Sequence, residues 1–313
     1  MRVAITGGTG FIGKRLIARH LSMGDDVIYL TRKKPESKNA AKYFIGDLSR
    51  SKAELKRFIE GVDVLYHCAA EIRDVQNMQN TNVEGTKNLI EAVNGSVGRW
   101  IQLSSTGVYG HGMQRVVTEE SPLSPGNPYE VSKAESDKLV LEAAKKYEFD
   151  AFILRPSNVY GSDMPNQSIF NLIKMVDSGL FFYIGKKKAI ANYVHVENVV
   201  DALVLCANGA NKKSDTYIVS DSCDLEVFIK HIAVALNKPI PHVHLPERLV
   251  RLVVGSIAGF NFSPLTIPRI DALTSTTSYD INKIQTQLNY KNNISIQNGI
   301  TDLVLYWKLV HAK

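Results

Sequence analysis

The segment Ile5-Thr6-Gly7-Gly8-Thr9-Gly10-Phe11-Ile12-Gly13 decides the fold. It follows a short β-branched run, Arg2–Thr6, and leads into a helical pattern over Phe11–Met23. Glycines at positions 7, 10 and 13 permit a tight turn, close approach of backbone to a pyrophosphate, and close helix–strand packing. A helix starting here aims its free N–H groups and positive dipole end at that phosphate. The run Gly8 to Gly13-Lys14 nearly spells the loop of a nucleoside triphosphatase. That loop needs a Ser or Thr next, for magnesium, and Arg15 stands there. The segment therefore reads as a dinucleotide's phosphate turn, with Gly7, Gly10, Phe11, Ile12 and Gly13 as cofactor contacts.

Outward from this turn, short apolar runs alternate with longer helical ones. Val27–Thr31, Tyr43–Ile45, Val62–Cys68, Trp100–Ser104 and Ala151–Leu154 read as strands. Lys52–Phe58, Thr81–Val93 and Tyr129–Tyr147 place apolar residues at helical spacing. Near-continuously apolar strands alternating with helices predict an α/β fold, a doubly wound parallel sheet covered on both faces. Beyond Arg155-Pro156 the alternation loosens. Gln167–Ser178, Val196–Asn208, Leu225–Leu236 and Glu247–Gly259 look helical, with short strands near Tyr183 and Tyr217. The expected division is a dinucleotide-binding domain over residues 1–160, to which 190–210 returns, and a smaller mixed lobe, mainly substrate-binding, over 161–313.

Composition supports a globular chain. The 313 residues exceed the roughly 100–200 of an average domain. With 44% hydrophobic and 22% charged residues, a large core is available, which excludes a disordered or collagen-like chain. Cys68, Cys206 and Cys223 are too few and too scattered for a disulfide framework or a zinc site, so no metal is expected and a reducing cytoplasm suits them. The net charge of +6 is spread along the chain rather than gathered in a stripe, so no nucleic-acid partner is expected. The longest apolar stretch, Leu249 to Phe260, is interrupted by Arg251 and falls short of the roughly 20 residues that span a bilayer. It reads as a buried or pocket-lining helix, with no membrane partner.

Tyr129 and Lys133 lie four apart at the head of a predicted helix, on one face. A tyrosine is a poor acid–base catalyst near neutrality, and an adjacent ammonium favours its phenolate. Ser104-Ser105-Thr106, ending the fifth strand, supplies polar groups where open α/β sheets build their sites. His195 reads as structural, at a strand-to-helix transition, and Cys68 as a small buried residue rather than a nucleophile.

These residues sit among further landmarks: Gly46-Asp47-Leu48, His67-Cys68-Ala69-Ala70, Asn82-Val83-Glu84-Gly85-Thr86, Ser104 to Gly110, Tyr129-Glu130-Val131-Ser132-Lys133, Arg155 to Gly161, and Tyr193-Val194-His195-Val196. In this order they resemble the extended short-chain dehydrogenase/reductases of the NAD-dependent epimerase/dehydratase type, from Gly7 to about Asp201 and weakly to Trp307. The resemblance implies a Rossmann domain and a Ser/Tyr/Lys mechanism with a nicotinamide cofactor. Tyr129 would exchange a proton with a substrate hydroxyl or ketone. Lys133 would bind the nicotinamide ribose and acidify Tyr129. Ser105 would hydrogen-bond the substrate oxygen. Asp47 and Leu48 would meet the adenine, and Ala69, Ala70 and Asn82 the cofactor. Thr106, Asn158 and Tyr193 would contact substrate, Asn158 at a position that often meets a nucleotide-sugar diphosphate.

Departures from the family pattern narrow the chemistry. Dehydratases carry an Asp-Glu pair where Thr106 and Gly107 stand, and fucose-forming epimerising reductases a cysteine at Thr106. Reduction of a nucleotide-linked 4-keto sugar is the first expectation, with a UDP-hexose type 4-epimerase as the alternative. The epimerases' arginine is replaced by Ala191, so Lys186, Lys187 or Lys188 would substitute, or a less polar alcohol or ketone, steroid- or flavonol-like, would bind. A purely redox-sensing role fits poorly with an intact Tyr/Lys pair. After the second strand, Thr31-Arg32-Lys33-Lys34 offers no acid to a ribose hydroxyl, so Arg32 and Lys33 are expected to favour NADP(H), with NAD(H) possible. A homodimer through Thr81–Val93 and Tyr129–Tyr147 is implied by the relatives.

Overall fold

The computed structural model describes residues 1–35, 41–49, 52–110, 116–185, 188–209, 214–256 and 265–311. Its centre is a seven-stranded sheet in the order Asp215–Val219, Asp150–Pro156, Arg99–Leu103, Val64–His67, Arg2–Thr6, Asp26–Thr31, Lys42–Ile45. Every pairing is parallel. The inner strands are buried on both sides, as their unbroken apolar runs require. Helices Gly13–Ser22, Val196–Asn208 and Asn282–Leu288 cover one face. Helices Lys52–Phe58, Gly85–Val93 and Pro128–Tyr147 cover the other. This is the expected doubly wound Rossmann architecture. Chain order reverses between Arg2–Thr6 and Val64–His67, which opens a crevice at the strands' C-terminal ends.

A second core joins helices Ser168–Asp177, Leu225–Leu236 and Ile296–His311. Beside it runs a three-stranded sheet of Asn158–Tyr160, Ile190–His195 and Asp221–Asp224. Helices Glu247–Ser256 and Ile267–Thr274 close this end through Val250, Val254 and Ile270. Among the described residues no helix is long and apolar enough to cross a membrane, and no group of three His, Cys, Asp or Glu is placed to hold a metal.

The structure differs from expectation in three respects. The return to the main sheet runs past 190–210 to include Asp215–Val219, where Tyr217, Ile218 and Val219 are all buried against Asp150–Pro156. The helical run expected from Thr81 begins at Val75, because Asp74 caps it by accepting from the backbone N–H groups of Gln76 (3.1 Å) and Asn77 (3.4 Å). It then passes through a π turn, Gln79–Glu84. There the Asn82 carbonyl accepts from the hydroxyls of Thr86 and Ser136, both at 2.6 Å, which compete with its place in the backbone ladder. Thirdly, helices Ile267–Thr274, Asn282–Leu288 and Ile296–His311 carried no sequence expectation. Of the stretch Leu249–Phe260, residues 257–260 lie outside the described residues, as do Lys186 and Lys187.

Candidate functional site

The glycine loop is built as its spacing demands. Gly7 has φ +70°, and a Cβ on it would lie 2.7 Å from the Ala69 backbone nitrogen. A Cβ on Gly13 would meet the Gly7 carbonyl oxygen at 2.1 Å, so helix Gly13–Ser22 starts directly against the turn. The first helical turn contains no acid, and Lys14 stands at its mouth. Arg15 stacks on Phe11 and, with Lys14, bonds Asp163, tying loop to second lobe. The resulting groove of about 810 Å³ is lined by Gly7, Gly10, Phe11, Ile12 and Gly13, with Cys68, Ala70 and Leu103 further along. Its bare backbone, helix N-terminus and acid-free first turn fit a dinucleotide.

Helix Pro128–Tyr147 delivers the chemistry-bearing side chains. Asn127 caps it by accepting from the Glu130 N–H at 3.0 Å, and the Glu130 carboxylate reaches back to the Gly126 N–H at 2.7 Å. Proline at the first position suits this start. Tyr129, Lys133 and Asp137 follow at intervals of four. The Lys133 ammonium donates to the Leu103 carbonyl, and the next residue, Ser104, donates to Asp137 at 2.7 Å. Arg155 pairs with Asp137 at 3.0 Å and donates to the Tyr109 hydroxyl at 2.8 Å, with Ser104, Asp137, Arg155 and Tyr109 all buried. The second Asp137 oxygen has no hydrogen-bond partner.

The electrostatics differ from the expected acidification. Burial pushes the Tyr129 phenol up to about 12, and the carboxylates of Asp137 and Glu130 push the same way. Burial lowers Lys133, against the opposing pull of Asp137 and Cys68. Tyr129 is thus a protonated donor, and Lys133 is bound to a main-chain carbonyl.

A second cavity of about 370 Å³ opens beside the groove, and four residues line both: Ser105, Tyr129, Ser157 and Asn158. Its other walls are Thr106 and Gly107 from the sheet side, with Ile190–Tyr193, Leu225 and residues between Ala272 and Tyr279 from the second lobe. Asn192 donates to the Thr277 carbonyl at 2.8 Å and Asn158 to the Asn192 carbonyl at 3.2 Å, which pins these strands together. Tyr193 stacks on Phe228 with centroids 4.6 Å apart. Glu130 is the one Asp, Glu, Lys or Arg side chain among the described lining. It fills the space beside Gly107, whose absent Cβ would lie 2.9 Å from the Glu130 Cγ.

The structure thus gathers Ser105, Tyr129 and Lys133 with the glycine loop and Ala70, and places Thr106, Asn158 and Tyr193 in the second cavity. It does not bring the other expected cofactor residues to the groove's lining. Asn82 is buried, holding Glu71 through both its N–H (2.7 Å) and carbonyl (3.0 Å) and donating to Ser132 at 2.9 Å. Ala69 donates its N–H to the Thr6 hydroxyl. Leu48 packs under Gly85, and Asp47 accepts from Ser49. Arg32 and Lys33 are exposed just past strand Asp26–Thr31. Sequence reasoning missed Lys14, Ser157 and Asn192, of which Lys14 alone carried a signal, beside the last glycine. His195 caps helix Val196–Asn208, and burial pushes the Cys68 thiol up to about 12.

Comparison with known proteins agrees with this arrangement. A model of the NAD dependent epimerase/dehydratase family matches residues 3–220. UDP-glucose 4-epimerase of Vibrio cholerae is 27% identical over 95% of this chain and 92% of its own. An N-acetyl-alpha-D-glucosaminyl-diphospho-undecaprenol 4-epimerase of Escherichia coli O157:H7 is 26% identical over 99% and 96%. The human sterol-4-alpha-carboxylate 3-dehydrogenase is 28% identical over 78% and 69%. In fold, the UDP-glucuronic acid 4-epimerase of Bacillus cereus, solved with NAD, superimposes with a TM-score of 0.78 at 20% identity, covering 99% of this chain and 100% of that one. With the glycine turn, the Tyr129 helix and the dinucleotide groove all inside the matched span, the chain belongs to the NAD-dependent epimerase/dehydratase family of enzymes.

Proposed function

We propose that this enzyme interconverts a secondary alcohol and a ketone at C4 of a diphosphate-linked sugar, as a 4-epimerase. The carrying observation is that Ser105 and Tyr129 line both the glycine-loop groove and the second cavity. A nicotinamide bound in the groove supplies hydride exchange. Ser105 orients the substrate oxygen. The Tyr129 phenolate, formed when the Lys133 ammonium comes near, takes the hydroxyl proton as hydride leaves C4, and the resulting phenol returns a proton to that oxygen as hydride comes back. Lys133 holds the ribose and, once its bond to Leu103 yields, lends its charge to the phenol. Residues 1–160 mainly hold the dinucleotide in this reading, and 161–313 mainly the substrate. Between net reduction, expected first from the sequence, and epimerisation, the two sugar-processing relatives that span nearly the whole chain favour epimerisation. Incubation with UDP-hexoses and no added reductant tests this. Interconversion of C4 epimers is expected, and strict dependence on stoichiometric NADPH would return the reductase.

A second reading has its own observation. The cavity beside Tyr129 contains Glu130 and no lysine or arginine among its described lining, with Ala191 at the diphosphate position. Such walls favour an uncharged, less polar alcohol, and oxidation of a sterol alcohol with no action on UDP-hexoses would establish it.

Two further expectations belong to this proposal. NADP(H) is preferred over NAD(H), because Arg32 and Lys33 follow the second strand with no acid between. Replacing Arg32 by Asp reverses the preference, read by titration calorimetry with both cofactors. An unchanged ratio would remove Arg32 as the discriminator. The enzyme is also a homodimer, through the helical run 75–93 and Pro128–Tyr147, on which Val75 and Val131 are exposed. Light scattering reads this directly, and a monomer would refute it.

A further inference from the structure

Helix Glu247–Ser256, expected from its sequence to be buried or pocket-lining, lies instead on the surface with an apolar outer face. Its inward side chains, Val250 and Val254, pack on Ile184 and Ile270. Its outward positions Leu249, Leu252 and Val253, spaced as neighbours on one face, are 61%, 67% and 56% exposed. Leu245, before the helix, and Ile267, after it in the chain, are exposed as well. An apolar face of this kind on a folded chain marks a contact surface.

Charge says which contact. The acids Glu247 and Asp271 are both held by Arg251, at 2.8 and 2.7 Å. Arg248, one turn before Leu252, and the exposed Lys188 line a groove beside the helix together with Leu245 and His244. Exposed Arg269 and His242 lie on the same lobe, and the whole chain has a net charge of +6. A second copy docking through the same patch would bring both sets of these cations into one interface, with Glu247 and Asp271 already engaged by Arg251. An anionic bilayer meets both halves of the pattern: acyl chains take the leucines, headgroups the flanking cations.

We propose that helix Glu247–Ser256 seats the enzyme peripherally on an anionic lipid surface. No membrane span is involved, since a ten-residue helix is about 15 Å long. The partner helix Ile267–Thr274 supplies Ala272 and Leu273 to the cavity beside Tyr129, so docking brings that cavity's rim to the lipid. Resting on the hydride-transfer reading above, this makes the substrate a lipid-borne alcohol or a sugar carried on a lipid, whereas the docking itself is independent of that reading.

Vesicle flotation of the full chain tests it without any substrate. Binding is expected to vesicles of equal phosphatidylglycerol and phosphatidylcholine, and to weaken with salt and in pure phosphatidylcholine. Leu249→Glu with Leu252→Glu should lower binding about tenfold or more. Arg248→Glu alone should lower it roughly fivefold. Both variants should keep the parent's cofactor titration. A parent chain that does not float, or a double variant that floats equally well, overturns the proposal. So does a parent oligomer that the double variant dissolves, which would assign the face to a second copy.

Discussion

Tyr129 and Lys133 sit on one face of one helix, yet Tyr129 lines both cavities whereas Lys133 lines the groove and donates to the Leu103 carbonyl. Tyr129→Phe is expected to lower turnover about 10²–10⁴-fold, the usual worth of a positioned proton carrier, while leaving cofactor affinity nearly intact. Lys133→Met should reduce both, because its ammonium is proposed to meet the ribose. Turnover and cofactor titration on each variant separate the roles, and equal loss of cofactor binding in both would refute the division. Below this pair, Asp137 faces Arg155 in a buried setting, with Ser104 also bonded to it. Asp137→Asn keeps the shape but strands the guanidinium. The expected cost is ~3–5 kcal/mol, read by urea unfolding. A loss under about 1 kcal/mol would mean that Arg155 finds another partner or water.

The glycine turn and its helix act as one element. The Gly13 position is closed to any side chain, since even a methyl group would sit 2.1 Å from the Gly7 carbonyl. Gly13→Ala must push the helix start from the turn, at a cost of about 1–3 kcal/mol and with loss of the N–H geometry that receives phosphate. Melting temperature with and without dinucleotide reads both effects. A variant stabilised by cofactor as much as the parent would show that the helix start does not set the phosphate site. Spacing alone predicted this element, because its constraint is local. The π turn over Gln79–Glu84 was not predictable in that way. It depends on Ser136, more than fifty residues away, reaching the Asn82 carbonyl.

Across the molecule, two buried histidines couple stability to pH. His67 lies between Thr6 (2.7 Å) and Thr86 (2.9 Å), and burial, aided by the Lys133 charge, lowers it to about 3. Burial also lowers His20, although Asp25 pulls the other way. Both bind a proton less readily folded than unfolded, so the unfolded chain takes up more protons below the ordinary value of 6.5. The stability that His67 contributes is full above that pH and falls as pH drops toward 3, by up to about 1.4 kcal/mol per unit, and His20 adds a loss of the same sign. Urea midpoints should decline between about pH 7 and about pH 5. A flat profile would mean that the folded imidazoles accept protons.

Local physics made the dinucleotide half of the chain legible. The glycine turn, the apolar strands and the Tyr129–Lys133 spacing each impose a short-range constraint, and Val196–Asn208 and Leu225–Leu236 appear with the bounds their periodicity predicted. Only the tertiary structure decided the rest. Strand Asp215–Val219 finds its place through pairing with a strand some sixty residues earlier. The second cavity closes where Ile190–Tyr193 and Ala272–Tyr279 meet the end of strand Arg99–Leu103, and no periodicity records such a meeting. The bonds of the Asn82 amide to Glu71 and Ser132, eleven and fifty residues along the chain, likewise follow from packing and not from local spacing. Local spacing specifies which side chains share an element face, whereas cavities and buried hydrogen bonds depend on which distant faces pack together.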